Sequence, residues 1–189
     1  IRPFLLTDEQ AAAAPATVKM AQGKANLKEW KYALAVSVDD CTGCGNCVDV
    51  CLAKDKALAM VPYIEHQAEQ ANFDYLNKKV GYTEYVNKFA NMKNSQFAQP
   101  LFEFSGACAG CGETPNIKTI TQLFGDRMMI ANATGCSSIY GASFPASPYC
   151  TNAAGHGPAW QNSLFEDFCE FGLGMHLGSD RIRETVANT

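Results

Sequence analysis

Between residues 29 and 38 the chain reads EWKYALAVSV, a run of aromatic, β-branched and small apolar residues with partial alternation, and this predicts a strand. Before it, TDEQAAAAPATVKMAQG predicts a short helix that Thr7 or Asp8 opens and Pro15 cuts. After it, KALAMVPY at 56–63 reads as a second short strand. Ile64, Ala68, Ala71 and Tyr75 then fall at helical spacing. The stretch 64–98 is nevertheless rich in Asn, Gln and Lys and free of cysteine, so it reads as a linker with a module boundary near residue 98. A helical layer packed on one module is the competing reading, and His66 reads as a surface residue in either.

From residue 100 the pattern turns α/β. TPNIKTITQLFG predicts a helix that Thr114 caps, that carries Pro115 in its first turn, and that Gly125 stops. RMMIANA at 127–133 is mostly apolar with no charge inside and predicts a buried strand. TGCSS follows at the carboxyl end of that strand, where ligands bind in open α/β sheets. PAWQNSLFEDFCEFGLGMHL at 158–177 reads as a second helix, with Ala159, Leu164, Phe168 and Phe171 along one face. Trp160 and Phe165 read as packing residues, Cys169 as a small buried hydrophobe, and His156 and His176 as structural.

Composition narrows the function classes. The net charge of −4 argues against a nucleic-acid partner, because neutralising phosphates requires a basic surface. No run of about 18 apolar residues predicts a membrane span. The first residue is Ile1, and IRPFLL lacks the basic and apolar regions of a signal peptide, so the start is expected to lie inside a longer protein. Nine cysteines pose a choice between disulfides in a secreted chain and metal ligands in a reducing compartment.

The tight spacing of DDCTGCGNCVDVC favours metal. Cys41, Cys44, Cys47 and Cys51 follow C-x2-C-x2-C-x3-C, the bacterial ferredoxin run for a 4Fe–4S cluster. Three thiolates at a pitch of three residues wrap a short loop around one face of the cube. Gly43 and Gly45 give that loop its backbone freedom, and its N–H groups can offset the cluster's negative charge. In two-cluster proteins the fourth cysteine ligates the other cube, so Cys51 is expected to serve a cluster whose remaining ligands lie before Ile1. The run usually ends in C-P, and here Leu52 stands in the proline's place, which loosens the turn without removing a ligand. Zinc is the competing metal, but it prefers paired knuckles well separated in sequence, and four cysteines within eleven residues are crowded for it.

A second set is sparser. Cys108 and Cys111 form a C-x-x-C pair in GACAGCGETP, a Gly-rich loop entering a helix, and Cys136 lies at the end of the next strand. Loop and strand end can meet at one place on a sheet. LFEFSGACAGCGETPNIKTITQLFGDRMMIANATGCSSIYGASFPASPY resembles pyruvate:ferredoxin (flavodoxin) oxidoreductase, and GPAWQNSLFEDFCEFGLGM resembles the segment that follows it in that family. The ferredoxin run with DKALAM, the linker and then SGACAGCGETP match the family's order, so the resemblance spans essentially the whole chain, least firmly at 64–94.

The resemblance implies an α+β ferredoxin-like iron–sulfur module at 1–63, a linker at 64–98, and at 99–189 the first part of an α/β domain that binds thiamine diphosphate. It implies three 4Fe–4S clusters in the full-length protein, with Cys108, Cys111 and Cys136 as three ligands of the one beside the thiamine cofactor. The fourth ligand would lie downstream, because Cys150 and Cys169 match no ligand position. Glu113 and Cys136 match positions that contact thiamine diphosphate; for Glu113 the alternative is a carboxylate favoured by the helix dipole. Gly125-Asp126 does not match the family's magnesium motif, so magnesium and diphosphate ligands are expected outside this segment. The implied activity is oxidative decarboxylation of pyruvate with coenzyme A to acetyl-CoA and CO2. The electrons would leave to ferredoxin or flavodoxin, from a homodimeric enzyme of the cytoplasm or a hydrogenosome-like organelle. The segment alone is expected to be inactive. Two other classes stay open on the residues: a ferredoxin-like electron-transfer subunit without its own catalysis, and a zinc-binding interaction protein.

Overall fold

The computed structural model describes residues 1–143 and 145–189, and the chain divides into two compact units, 1–99 and 100–189. Both mix helices and strands, giving a small α/β architecture throughout.

The first unit is built on a three-stranded antiparallel sheet of β1 (Arg2–Leu6), β2 (Met20–Gln22) and β3 (Lys31–Ala35), with β3 central. The expected strand at 29–38 is thus present in shortened form. Its register pairs Arg2 with Ala35 and Leu6 with Lys31. Phe4 and Leu6 point to one face and Leu5 to the other, as the two-residue period of a strand requires, yet all three are buried. Both faces must therefore be covered. The helix expected after Thr7 is α1 (Asp8–Ala12), opened by a capping box in which Thr7 and Gln10 exchange hydrogen bonds of 3.0 and 3.1 Å.

Residues 64–98 supply the cover and are not a spacer. α3 (Tyr63–His66) leads through a short turn into α4 (Gln70–Tyr75), which continues as a wide turn over Leu76–Val80 closed by Gly81 N–H on Leu76 O at 2.9 Å. Phe73 and Leu76 pack with Phe4, Leu6, Val18 and Ala33 on one sheet face. Phe97 packs with Leu5 and Leu27 on the other. Helix falls where the spacing placed it, but the buried positions are Phe73 and Leu76, whereas Ile64 is 77% exposed. His66 is at the surface, 2.8 Å from Glu69.

The strand expected at 56–63 does not form. Lys56 takes a φ of 48°, outside the extended region, and the N–H of Ala57 is directed at the Cys51 sulfur at 3.3 Å. Pro62 then stands immediately before α3.

In the second unit, α5 having closed the first at Met92–Ser95, α6 (Thr114–Phe124) occupies the predicted span with Pro115 in its first turn and Gly125 beyond its end. The cap differs: Glu113 holds the cap position without a side-chain cap bond, and Thr114 is the first helical residue. β4 (Met129–Asn132) is the expected strand, but it is not buried, since Met129 is exposed and the next three residues are half-buried. Among the described residues it pairs with one strand, β5 (Ala159–Asn162), in parallel, with Met129 opposite Ala159 and Asn132 opposite Asn162. α7 (Cys136–Gly141) lies on the crossover between them.

The helix expected over 158–177 is thus replaced at its start by β5. Trp160-Gln161-Asn162 extends along β4 instead, where backbone pairing with the neighbouring strand overrides the helical spacing of the side chains. Helix begins only after Asp167, as α8 (Phe168–Ala187). Cys169 is exposed on it, and Phe165 before it is 74% exposed, so neither fills the packing role expected of it. Trp160 does pack: its indole lies where a side chain at Gly141 would be, 3.1 Å from that position. His176 is exposed and pairs with Asp180 at 3.2 Å, and His156 is exposed in a turn closed on Asn152.

Candidate metal centres

The first cysteine loop leaves β3 and is tied down before its first ligand. Ser37 Oγ donates to the Asp40 carboxylate in a short bond and is 3.3 Å from Gln70 Oε1. Gln70 Oε1 also accepts from Asp39 N–H at 3.2 Å, while Tyr63 donates its phenol to Asp39 at 2.8 Å. The helical segment after the loop thus clamps the residues that enter it. Gly43 and Gly45 have φ of 67° and 82°, the left-handed conformations that make room for C-x-x-C-x-x-C. Gly45 then opens α2 (Asn46–Asp49), on which Cys47 rides, and its carbonyl accepts from Val48 and Asp49 N–H at 2.9 and 3.1 Å.

Cys41, Cys44 and Cys47 are exposed and Cys51 is half-exposed; all nine cysteines are free thiols. The Cys51 thiol is held below the ordinary thiol range, first by the Ala57 N–H and then by that of Ala53, with Leu58 N–H and the Lys56 charge adding to the effect. Such a thiol reaches the ligating, deprotonated form more readily.

The second set is organised by the N-terminus of α6. Cys111 N–H closes a turn on Cys108 O at 3.0 Å, with Gly110 left-handed inside it. The N–H groups of Thr114 and then Glu113 face the Cys111 sulfur and lower its thiol pKa, against the nearby Glu113 carboxylate. Cys136 is the first residue of α7, exposed at its N-terminus, and Tyr140 lies one turn along the same helix. Tyr140 is buried, its hydroxyl lacks a hydrogen-bond partner of good geometry, and burial followed by the facing Glu113 carboxylate holds the phenol well above its ordinary range. The same two causes push Tyr149 up to about 12. Phe102 locks both rings edge-on, with centroids 5.7 Å from Tyr140 and 5.0 Å from Tyr149. Cys111, Glu113 and the helix that begins at Cys136 therefore share one locality.

The side chains are not gathered to ligating distance: among the described residues no three His, Cys, Asp or Glu groups are placed to hold one metal ion. What fits an iron–sulfur group is the donor chemistry, namely soft, free, solvent-reaching thiols on loops with left-handed glycines and N–H groups aimed at two of the sulfurs. Lys56, whose Nζ donates to Asp49 O and Cys51 O at 2.9 and 3.0 Å, carries no signal in the sequence, because 56–63 has the composition of a strand. Tyr140 has a signal only in its i, i+4 spacing from Cys136.

No family model matches the chain. Whole-protein relatives do. The chain is 56% identical over 187 residues to the pyruvate-flavodoxin oxidoreductase of Enterobacter agglomerans, covering 99% of this chain and 16% of that protein. It is 55% identical over 190 residues to the pyruvate:ferredoxin oxidoreductase of Moorella thermoacetica, again 99% of this chain and 16% of the relative. The pyruvate dehydrogenase, NADP(+), of Cryptosporidium parvum is 50% identical over 197 residues, all of this chain and 10% of that protein. Matching nearly end to end but spanning only 16% of those bacterial enzymes, the chain belongs to the pyruvate:ferredoxin/flavodoxin oxidoreductase family and corresponds to one segment of its members.

Proposed function

We propose that this chain is the segment of a pyruvate-oxidising enzyme that carries iron–sulfur ligands and presents a carboxylate to thiamine diphosphate. Its 56% identity over 99% of its length to a pyruvate-flavodoxin oxidoreductase is the observation that carries this reading. In it, the first unit is the ferredoxin-like module and the second the start of the thiamine diphosphate domain. The full-length protein is a cytoplasmic homodimer (or sits in a hydrogenosome-like organelle) that uses magnesium, takes pyruvate and coenzyme A, and delivers electrons to ferredoxin or flavodoxin.

When bound, thiamine diphosphate supplies the means to cleave pyruvate between its keto carbon and its carboxylate, and the clusters take up the released electrons singly. The chain's own residues have narrower tasks. Cys41, Cys44 and Cys47 hold one cluster, Cys51 contributes to a second, and Cys108, Cys111 and Cys136 provide three ligands to a third. The Thr114 and Glu113 N–H groups stabilise the Cys111 thiolate. Glu113 and Cys136 contact the thiamine cofactor, with Glu113 offering a carboxylate acceptor. Tyr140 and Tyr149 stay protonated through the physiological range, so neutral phenols, not phenolates, back the Glu113 carboxylate.

The test uses the full-length protein, purified without oxygen. Pyruvate, coenzyme A and thiamine diphosphate should yield CO2 and reduce flavodoxin or ferredoxin. Glu113→Gln should lower turnover by about 10²-fold or more, in line with loss of a positioned proton-transfer group. Reversible electron exchange with no pyruvate-dependent CO2 release would instead identify a carrier without catalysis of its own.

A further inference from the structure

The turn after Cys51 is held by a lysine in an unusual conformation. Leu52 stands where the ferredoxin run usually has proline, and it is 100% exposed, so neither a ring nor packing fixes the backbone there. Lys56 takes over. Its φ of 48° is strained for a side-chain-bearing residue, and its N–H closes on Ala53 O at 3.0 Å. Its Nζ donates to Asp49 O at 2.9 Å and Cys51 O at 3.0 Å, capping the carbonyls at the end of α2. The result is that the next N–H, that of Ala57, points at the Cys51 sulfur at 3.3 Å. One residue thus sets the rotation of the turn, supplies a positive charge beside Cys51, and aims a donor at its sulfur.

We propose that Lys56 is a positioning residue for the cluster that Cys51 serves and that it raises that cluster's reduction potential. This rests on the iron–sulfur reading of Cys51. A cluster gains an electron, and hence negative charge, on reduction. An ammonium and an N–H dipole fixed near one of its sulfurs stabilise the reduced form more than the oxidised one. Lys56 is solvent-exposed, which screens the charge and limits the effect. The turn contribution and the charge contribution are separable, because glycine accepts a positive φ without the ammonium, and arginine keeps the charge and the donors.

The experiment is an EPR-monitored redox titration of the full-length protein and of Lys56→Met, Lys56→Gly and Lys56→Arg, each with iron and acid-labile sulfide measured beforehand. In Lys56→Met the reduced-to-oxidised ratio of one cluster, at fixed solution potential, should fall about threefold to tenfold, tenfold being ~59 mV for a one-electron couple. The other clusters should not move. Lys56→Gly should shift the same cluster by a smaller amount, and Lys56→Arg should restore the unsubstituted value. Loss of one cluster's iron and sulfide in Lys56→Met, with retention in Lys56→Arg, reports the same positioning role by stoichiometry. Full cluster content with unchanged potentials in both Lys56→Met and Lys56→Gly overturns the proposal while leaving the iron–sulfur reading intact. Absence of acid-labile sulfide from the unsubstituted protein would overturn that reading first.

Discussion

Truncating Leu76 measures how firmly the 64–98 segment belongs to the first unit. Leu76 is 1% exposed and packs with Phe4, Leu6, Val18, Ala33 and Phe73. Leu76→Ala removes three carbons, a transfer loss of about 2 kcal/mol at ~0.8 kcal/mol per methylene. The residual cavity adds to that at ~24 cal/mol per Å3, which brings such substitutions to about 2–5 kcal/mol. Ile64, in the same segment but at 77% exposure, is the control, and Ile64→Ala should cost no more than about 0.5 kcal/mol. The chain has two tryptophans, so a Trp160→Phe background leaves Trp30, which packs in the first unit, as the fluorescence probe. With a urea m-value of about 2 kcal/mol/M, the unfolding midpoint should drop by at least ~1 M for Leu76→Ala and remain nearly fixed for Ile64→Ala. Equal, small shifts for the two variants would refute the packing argument and return 64–98 to the status of a spacer.

Other outcomes follow from local geometry. A Cβ at Gly125 would lie 2.4 Å from Thr121 O and 3.1 Å from Leu101 Cδ1, so Gly125→Ala should destabilise the second unit by about 1–3 kcal/mol in denaturant unfolding. Cys51 and Cys111 titrate below the ordinary thiol range, whereas burial pushes Cys150 up. In metal-free protein, alkylation followed by mass spectrometry should therefore reach its plateau at lower pH for Cys51 and Cys111 than for Cys150. Tyr149 has its folded pKa raised to about 12 from an ordinary 10.0. Its contribution to stability is then complete below pH 10 and is lost as pH rises toward 12, a loss that Tyr149→Phe should reduce in alkaline unfolding curves.

Elements with strong local signals were legible in the sequence. The helix opened at Thr7, the strand in EWKYALAVSV, though shorter, and the helix with Pro115 in its first turn stand where spacing placed them, although Glu113 and not Thr114 holds the cap position of the last. Readings that needed tertiary context went astray. KALAMVPY has strand-like composition, but its backbone is committed to the Cys51 turn. PAWQN lies within an apolar spacing that suits a helix, yet pairing with β4 decides its conformation. Asn- and Gln-rich composition hid the two residues, Phe73 and Leu76, by which 64–98 joins the core. At the candidate site, the cysteine run could be singled out because cluster chemistry sets residue type and interval, whereas Glu113 was named only through the family resemblance. Lys56, Gln70 and Tyr140 were not legible, since their roles depend on which backbone groups and rings the fold brings beside them.

The central claim is that these thiols hold iron and sulfide. Its most direct test is metal and acid-labile sulfide analysis of the full-length protein purified without oxygen, beside its Cys44→Ser and Cys111→Ser variants. Iron and sulfide should be present in equal amounts, with a distinct fraction of both missing from each variant. Zinc without sulfide, or cysteines found joined in disulfides, would contradict it.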